Sequence, residues 1–218
     1  MKTIVNVGQF LQGITGYLRC RFKRFGLNHA LRYEQLYEII RDKKPINILE
    51  IGVFNAENAV RMLNINPDIE ANYYGFDLFE DLSDLQFETE IAIKPLTLDE
   101  AKNKLEKRTR ANISLYKANT LELKKDFFQN FPAMDLIFID GGHSIETQRN
   151  DWLLVKDLMT PKTIVIIDDF WNIPNSGCSF LVDELDEGKY IAEILPTADF
   201  YIKDWGILKT QFLKITLR

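Results

Sequence analysis

Apolar positions recur along the chain with two alternating periods. Residues 31–43 carry Leu36, Ile39 and Ile40 at helical spacing and stop before Pro45. Short runs rich in β-branched and aromatic residues follow at 46–51, 72–76, 113–117, 134–139 and 163–167, and these read as strands. Between them lie stretches of helical period at 55–64, 98–110, 121–130 and 144–158. Thr97-Leu98-Asp99-Glu100 has the form of a capping box at the start of one of these helices. Strands apolar on both faces and regularly interleaved with helices predict a doubly wound α/β domain, a parallel sheet covered on each side. After a helical stretch at 180–185, residues 190–195 and 211–217 read as two more strands. They are joined through Asp204-Trp205-Gly206 with no room for a crossover helix, which predicts an antiparallel pair closing the sheet edge.

The pattern contains no repeat and no linker. It divides into an N-terminal arm, 1–30, and one domain, 31–218, whose generous connection, 79–110, has the length of a lid or binding loop. Composition fits a globular protein: 46% of the 218 residues are hydrophobic, and Gly (11) and Pro (7) are few. The net charge of −5 argues against general nucleic-acid binding. Cys20 and Cys178 are too far apart in sequence for a disulfide framework, which favours a reducing, cytoplasmic setting. Two histidines and two cysteines fall short of a structural zinc site, so any metal must be held by carboxylates.

The charge is unevenly spread. Lys2, Arg19, Arg21, Lys23, Arg24 and Arg32 precede or lie within the helix start, with no acidic residue up to Tyr33, so a basic arm precedes an acidic body. The arm's apolar stretch is interrupted by Asn6, Gln9 and Gln12 and is too short to span a bilayer, so neither a signal peptide nor a transmembrane helix is expected. With Phe10, Leu11 and Phe22 among its basic residues the arm could touch an anionic membrane surface weakly. Packing on the body or on a second copy in a homo-oligomer is the favoured expectation.

Candidate chemistry comes from where the acids fall. Glu50 lies near the end of the first strand run, Asp77 after the second, Asp140 after the fourth, and Asp168 with Asp169 after the fifth. In open α/β sheets that edge is where ligands bind. Crowded acids there would repel one another unless cations arrive. Gly52 permits a tight turn and close backbone approach, and Asn55 can cap the following helix. There is no Gly-Lys-Ser/Thr and only one glycine of a dinucleotide fingerprint, while an acid at position 77 can accept both hydroxyls of a ribose.

The turn Glu50-Ile-Gly-Val-Phe-Asn-Ala, the acid of Gly75-Phe-Asp77, the run Asp135-Leu-Ile-Phe-Ile-Asp140-Gly-Gly-His143-Ser and Asp168-Asp169-Phe170 together resemble the class I S-adenosylmethionine-dependent methyltransferases, from about residue 31 onward. The resemblance leans toward the metal-dependent, macrocin-type sugar O-methyltransferases. It implies a Rossmann-like sheet of strand order 3-2-1-4-5-7-6 with the last strand antiparallel. It also implies Glu50 and Gly52 near the methionine part of the cofactor, Asp77 on its ribose, and Asn119 and Thr120 near its adenine, with Asn55 and Asp140 as further cofactor-binding residues. Phe54 and Ala56 depart from the glycines common in the family, and Ala56 would narrow the cofactor turn.

By the same resemblance Asp140, Asp168 and Asp169 match the ligands of a divalent metal. Three hard oxygen ligands suit Mg²⁺, whose remaining waters two neighbouring substrate oxygens can displace. His143 falls where some members keep a general base, while Gly142 stands where others have an acid. The expectation is therefore a Mg²⁺-dependent O-methylation of a sugar or glycosylated small molecule at a hydroxyl with an oxygen neighbour. A metal-independent methyltransferase and a non-catalytic cofactor-binding subunit are the rival readings. Arg149, Trp152 and Trp171 are candidates for the site rim, with a core role as plausible for Trp152.

Overall fold

A computed structural model of the chain describes residues 30–81, 95–174 and 176–218. The basic arm up to His29 and the middle of the expected lid, 82–94, lie outside the described residues.

Alternation builds the parallel half of the sheet. Strands β1 (Asn47–Ile51), β2 (Asn72–Asp77), β3 (Asn112–Lys117), β4 (Leu136–Ile139) and β5 (Ile164–Trp171) pair in parallel in the order β3-β2-β1-β4-β5. Along β1, β4 and β5 successive side chains enter opposite buried clusters. Ile48, Phe138 and Ile166 lie on one face, and Leu49, Ile51, Ile137, Ile139, Val165 and Ile167 on the other. The first face is covered by α1 (Tyr33–Lys43), α2 (Glu57–Asn64) and α3 (Leu98–Arg108), which contribute Leu36, Ile40, Val60, Met62 and Leu105. The second is covered by α4 (Ile145–Val155) and the short α5 (Leu181–Glu184), which contribute Trp152, Val155 and Leu181. Trp152 is core, set edge-on to Tyr190 at 5.2 Å.

Helix starts follow local chemistry. The Thr97 hydroxyl accepts from the Glu100 N–H at 3.2 Å and the Glu100 carboxylate accepts from the Thr97 N–H at 2.9 Å, closing the expected capping box. Ser144 caps α4 by accepting from the Thr147 N–H. The stretch 121–130, expected as a helix, instead forms two 3-10 segments, Thr120–Glu122 and Lys125–Asn130. Leu123 and Lys124 between them are extended, and Phe131 is held extended by the following Pro132. Phe127, Phe128 and Phe131 pack there around Phe76 and Tyr116, so aromatic contact decides the conformation.

The far edge has one strand more than expected. Among the described residues, β6 (Tyr190–Ile194), β7 (Asp199–Lys203) and β8 (Gly206–Leu217) complete eight strands in the order β3-β2-β1-β4-β5-β8-β6, with β7 also paired to β8. The long β8 runs antiparallel to β5 along one side. Its other side is shared, with β7 opposite Gly206–Thr210 in a tight hairpin and β6 opposite Leu213–Leu217. The implied 3-2-1-4-5-7-6 arrangement stands, with the inserted β7 renumbering its antiparallel last strand as β8. Among the described residues no helix is long and apolar enough to cross a membrane.

Candidate active site

The turn leaving β1 is held in an unusual backbone path. Gly52 has φ +95, and a Cβ there would lie 2.0 Å from the Asp140 carbonyl oxygen, so the close approach that this glycine permits is to the end of β4. Phe54 and Ala56, the two departures from glycine, nonetheless adopt left-handed φ values of 51 and 58, at a cost of about 1 kcal/mol each. Asp77 holds this path: its Oδ2 accepts from the Phe54 N–H at 2.7 Å and its Oδ1 from the Phe79 N–H at 2.8 Å. Ala56 occupies the N-cap of α2, but Asn55 still serves the helix start, its side chain accepting from the Glu57 N–H at 3.0 Å.

Glu50 is buried under this turn. Its carboxylate accepts from the Tyr73 hydroxyl and from Asn58 Nδ2. Burial pushes its carboxyl up to about 7, against those two hydrogen bonds, which pull it down. At the end of β3, Asn119 accepts from the Leu121 N–H and donates to Glu122, while the Thr120 carbonyl accepts from Asn150 Nδ2 on α4 at 2.8 Å. On the same turn of α4, Gln148 and Asp151 are fully buried, and the Gln148 side-chain atoms have no hydrogen-bond partner among the described residues. Burial pushes the Asp151 carboxyl up to about 7.

The remaining candidates form one connected cluster. Between Ile167 and Phe170, β5 has one residue more than the facing part of β8, and Asp169 sits in this bulge at φ 63. The bulge re-aims the two adjacent acids toward the end of β4. His143 Nδ1 meets Asp169 Oδ2, and Trp171 Nε1 donates to Asp169 Oδ1 at 3.1 Å while its indole lies 5.5 Å from the imidazole. The His143 side chain remains 35% exposed, whereas that of Asp169 is 7% exposed. Burial and the Asp168 charge push the Asp169 carboxyl up, and burial with both neighbouring aspartates does the same to Asp140.

Two residues of α1 and its approach enter this cluster. Arg32 makes a two-pronged ion pair with Asp168, Nε to Oδ1 at 2.7 Å and Nη2 to Oδ2 at 2.6 Å. The Tyr33 hydroxyl donates to Asp140 Oδ2 at 2.6 Å and lies 3.2 Å from Asp168 Oδ2, bridging β4 and β5. Arg32 Nη1 donates to Asp199 Oδ2 and to the Tyr201 hydroxyl, both on β7. Arg32 therefore belongs to the interior of the body, not to the solvated basic arm. Burial works to lower its pKa, but the Asp168 charge and hydrogen bonds prevail and raise it. Neither Arg32 nor Asp199 stands out in the sequence, since their partners lie 136 to 168 residues away.

The donor set does not fit a Mg²⁺ ion. A carboxylate offers about four lone-pair sites, and Asp168 accepts from Arg32 Nε, Arg32 Nη2 and the Asp169 N–H, while the Tyr33 hydroxyl, whose proton goes to Asp140, stands 3.2 Å from its Oδ2. Asp169 gives one oxygen to His143 and the other to Trp171. Among the described residues no group of acids, histidines and cysteines is arranged to hold a metal. The arrangement does offer an imidazole oriented by a buried carboxylate at the sheet edge. Arg149 lies apart from it, pairing with Glu184 at 2.5 and 2.9 Å and covering Phe180.

The family described as "Methyltransferase domain" matches residues 49–170, more than half of the chain and the whole span from Glu50 to Asp169. No curated protein matches the chain. Solved structures share its architecture. TomG of Streptomyces achromogenes, an O-methyltransferase in tomaymycin synthesis solved with S-adenosylmethionine, aligns at TM-score 0.57 and 13% identity, over 95% of this chain and 88% of that one. An O-methyltransferase from Bacillus cereus solved with S-adenosylhomocysteine aligns at 0.55 and 14%, over 99% and 93%. The methyltransferase PaMTH1 of Podospora anserina aligns at 0.57 and 13%, over 94% and 87%. At such identities the likeness is one of fold alone, and it is the family match that identifies the chain: it belongs to the methyltransferase domain family.

Proposed function

We propose that this protein transfers the methyl group of S-adenosylmethionine to a hydroxyl of a small molecule, a sugar or glycosylated compound being the favoured acceptor. The observation that carries the reading is the Asp169–His143 pair, a part-exposed imidazole held through Nδ1 by a buried carboxylate at the carboxyl edge of the sheet. A proton on Nδ1, donated to Asp169, puts the basic lone pair on Nε2, suited to taking the proton of an acceptor hydroxyl. Trp171, tilted against the imidazole and donating to Asp169, fixes both groups. The cofactor, when bound, supplies an electrophilic methyl group whose in-line displacement needs alignment more than covalent help. The turn 52–56, Asp77 and the Asn119-Thr120 corner line the same edge and are the cofactor contacts that the reading requires. A preference for a glycosidic acceptor rests on the sequence resemblance alone.

Two measurements test the reading. Calorimetric titration with S-adenosylhomocysteine should show one site per chain, and no binding at about 1 mM would overturn it. Transfer of a labelled methyl group to a panel of glycosides and polyols should fall about 10²-fold or more in His143→Ala. Equal rates in that variant would remove the base from the mechanism. Cofactor binding with no transfer would leave a cofactor-binding subunit.

A further inference from the structure

The carboxylates gathered at the ends of β4 and β5 already have a cation, and it is part of the chain. Asp168 receives the Arg32 guanidinium on both oxygens, at 2.7 and 2.6 Å, in the parallel fork geometry that makes Arg–carboxylate pairs strong. The Asp169 N–H at 2.6 Å fills a further acceptor site, and the Tyr33 hydroxyl oxygen, its proton directed to Asp140, stands 3.2 Å from Oδ2 beside the remaining one. The guanidinium is itself anchored. Asp199 accepts from Arg32 Nη1 at 3.0 Å and from the backbone N–H groups of Leu31 and Arg32 at 3.0 and 3.1 Å. The rings of Tyr33 and Phe212 lie 5.0 and 5.6 Å from the guanidinium carbon. The Arg32 and Asp168 side chains are 9% and 1% exposed, so neither can swing into solvent without breaking this packing.

We propose that Arg32 is the resident cation of this cluster, standing in the place of a divalent metal, so that the protein binds its ligands and works without one. The inference rests on the proposed site being the functional one, and it changes what that site asks of an acceptor. A metal with exchangeable waters can chelate two neighbouring substrate oxygens. The N–H groups of Arg32 are instead directed to Asp168, Asp199 and Tyr201. An acceptor therefore needs one hydroxyl within reach of His143 and no second oxygen beside it.

The test is a titration of the chelator-treated, dialysed full chain with Mn²⁺, followed by calorimetry and by the electron paramagnetic resonance of free Mn²⁺. The wild-type protein is expected to bind no stoichiometric Mn²⁺ below about 1 mM. One Mn²⁺ per chain at lower concentration, lost in Asp168→Asn, would overturn the proposal. Arg32→Met removes the guanidinium while keeping much of its stem, and should tighten Mn²⁺ binding at least about tenfold if circular dichroism shows it folded. A folded Arg32→Met protein with wild-type Mn²⁺ affinity would also overturn the proposal. The wild-type titration decides even where that variant does not fold. None of these readouts depends on methyl transfer, so failure of the enzymatic reading shows separately, in the S-adenosylhomocysteine titration and the acceptor assay.

Discussion

His143 Nδ1 rests on Asp169 Oδ2, and Asp169 can reach it because a bulge in β5 turns this residue into the left-handed region, at φ 63. The backbone strain at 169, of order 1–3 kcal/mol, is therefore tied to the orientation of the imidazole. In Asp169→Asn the amide oxygen can still accept from Trp171, but its NH₂ group then faces His143 and favours the proton on Nε2. That tautomer cannot act as a base toward the acceptor. The variant is expected to keep its fold and its affinity for S-adenosylhomocysteine within about threefold, while kcat falls about 10²-fold or more. Wild-type kcat in Asp169→Asn would show that the pair is structural.

Gly52 is the tightest point in the site. A methyl group at this position would stand 2.0 Å from the Asp140 carbonyl oxygen, at a φ of +95 that side chains rarely adopt. Because the methyl carbon would meet backbone atoms of Asp140 and Gly141, no rotamer change relieves it. Gly52→Ala should cost at least about 3 kcal/mol, strain and displacement combined, and should weaken cofactor binding in whatever fraction folds. Urea denaturation followed by far-UV circular dichroism measures the first effect. A variant within about 0.5 kcal/mol of wild type would mean that the turn and the end of β4 separate easily.

The contrast between what the sequence disclosed and what it hid follows from the range of the interactions. The alternation of strands and helices, the Thr97 capping box and the gathering of acids at one edge are written in local periodicity or in a position relative to a strand end, whereas the strand order follows from the family resemblance alone. The hairpin strand β7 was hidden because 199–203 alternates only weakly and, apart from Asp199, is half-buried or exposed. Arg32 was hidden for a deeper reason. A count of charges treats each cation as solvated, and nothing near position 32 announces that Asp168 and Asp199 will close around it from more than 130 residues away. Stretch 121–130 misled because its apolar residues serve an aromatic cluster with Phe76 and Tyr116 rather than a helix face.

Asp151 exposes a cost that the fold carries. It is fully buried on α4, and burial pushes its carboxyl up to about 7 from an ordinary 3.8, against the smaller downward pull of Thr120 and Asn150. Since the folded value lies above the unfolded one, stability is unaffected below about pH 4, declines as pH rises toward 7, and stays reduced above it. The full loss is at most about 4 kcal/mol. Asp151→Asn removes the ionisation, so its stability relative to wild type should improve between pH 5 and pH 8 by about 3 kcal/mol. Chemical denaturation at the two pH values gives the comparison, and parallel pH profiles would refute the assignment.

Glu50 should make cofactor binding depend on pH. In the ligand-free protein burial holds its carboxyl at about 7, so it is largely protonated at pH 6. S-adenosylmethionine brings a sulfonium and an ammonium to the edge above it, and a positive charge nearby favours the ionised carboxylate. Binding below pH 7 must then release a proton. Affinity is expected to rise as pH climbs from about 5.5 to 7, by at most about tenfold per pH unit, and to level off above about 8. S-adenosylhomocysteine, without the sulfonium, should show a shallower slope, and Glu50→Gln should flatten both. Calorimetry in two buffers of different ionisation enthalpy counts the released proton directly. A wild-type affinity unchanged between pH 5.5 and 8, with no proton release, would place Glu50 outside the reach of the cofactor's charge and leave its bonds to Tyr73 and Asn58 as its whole role.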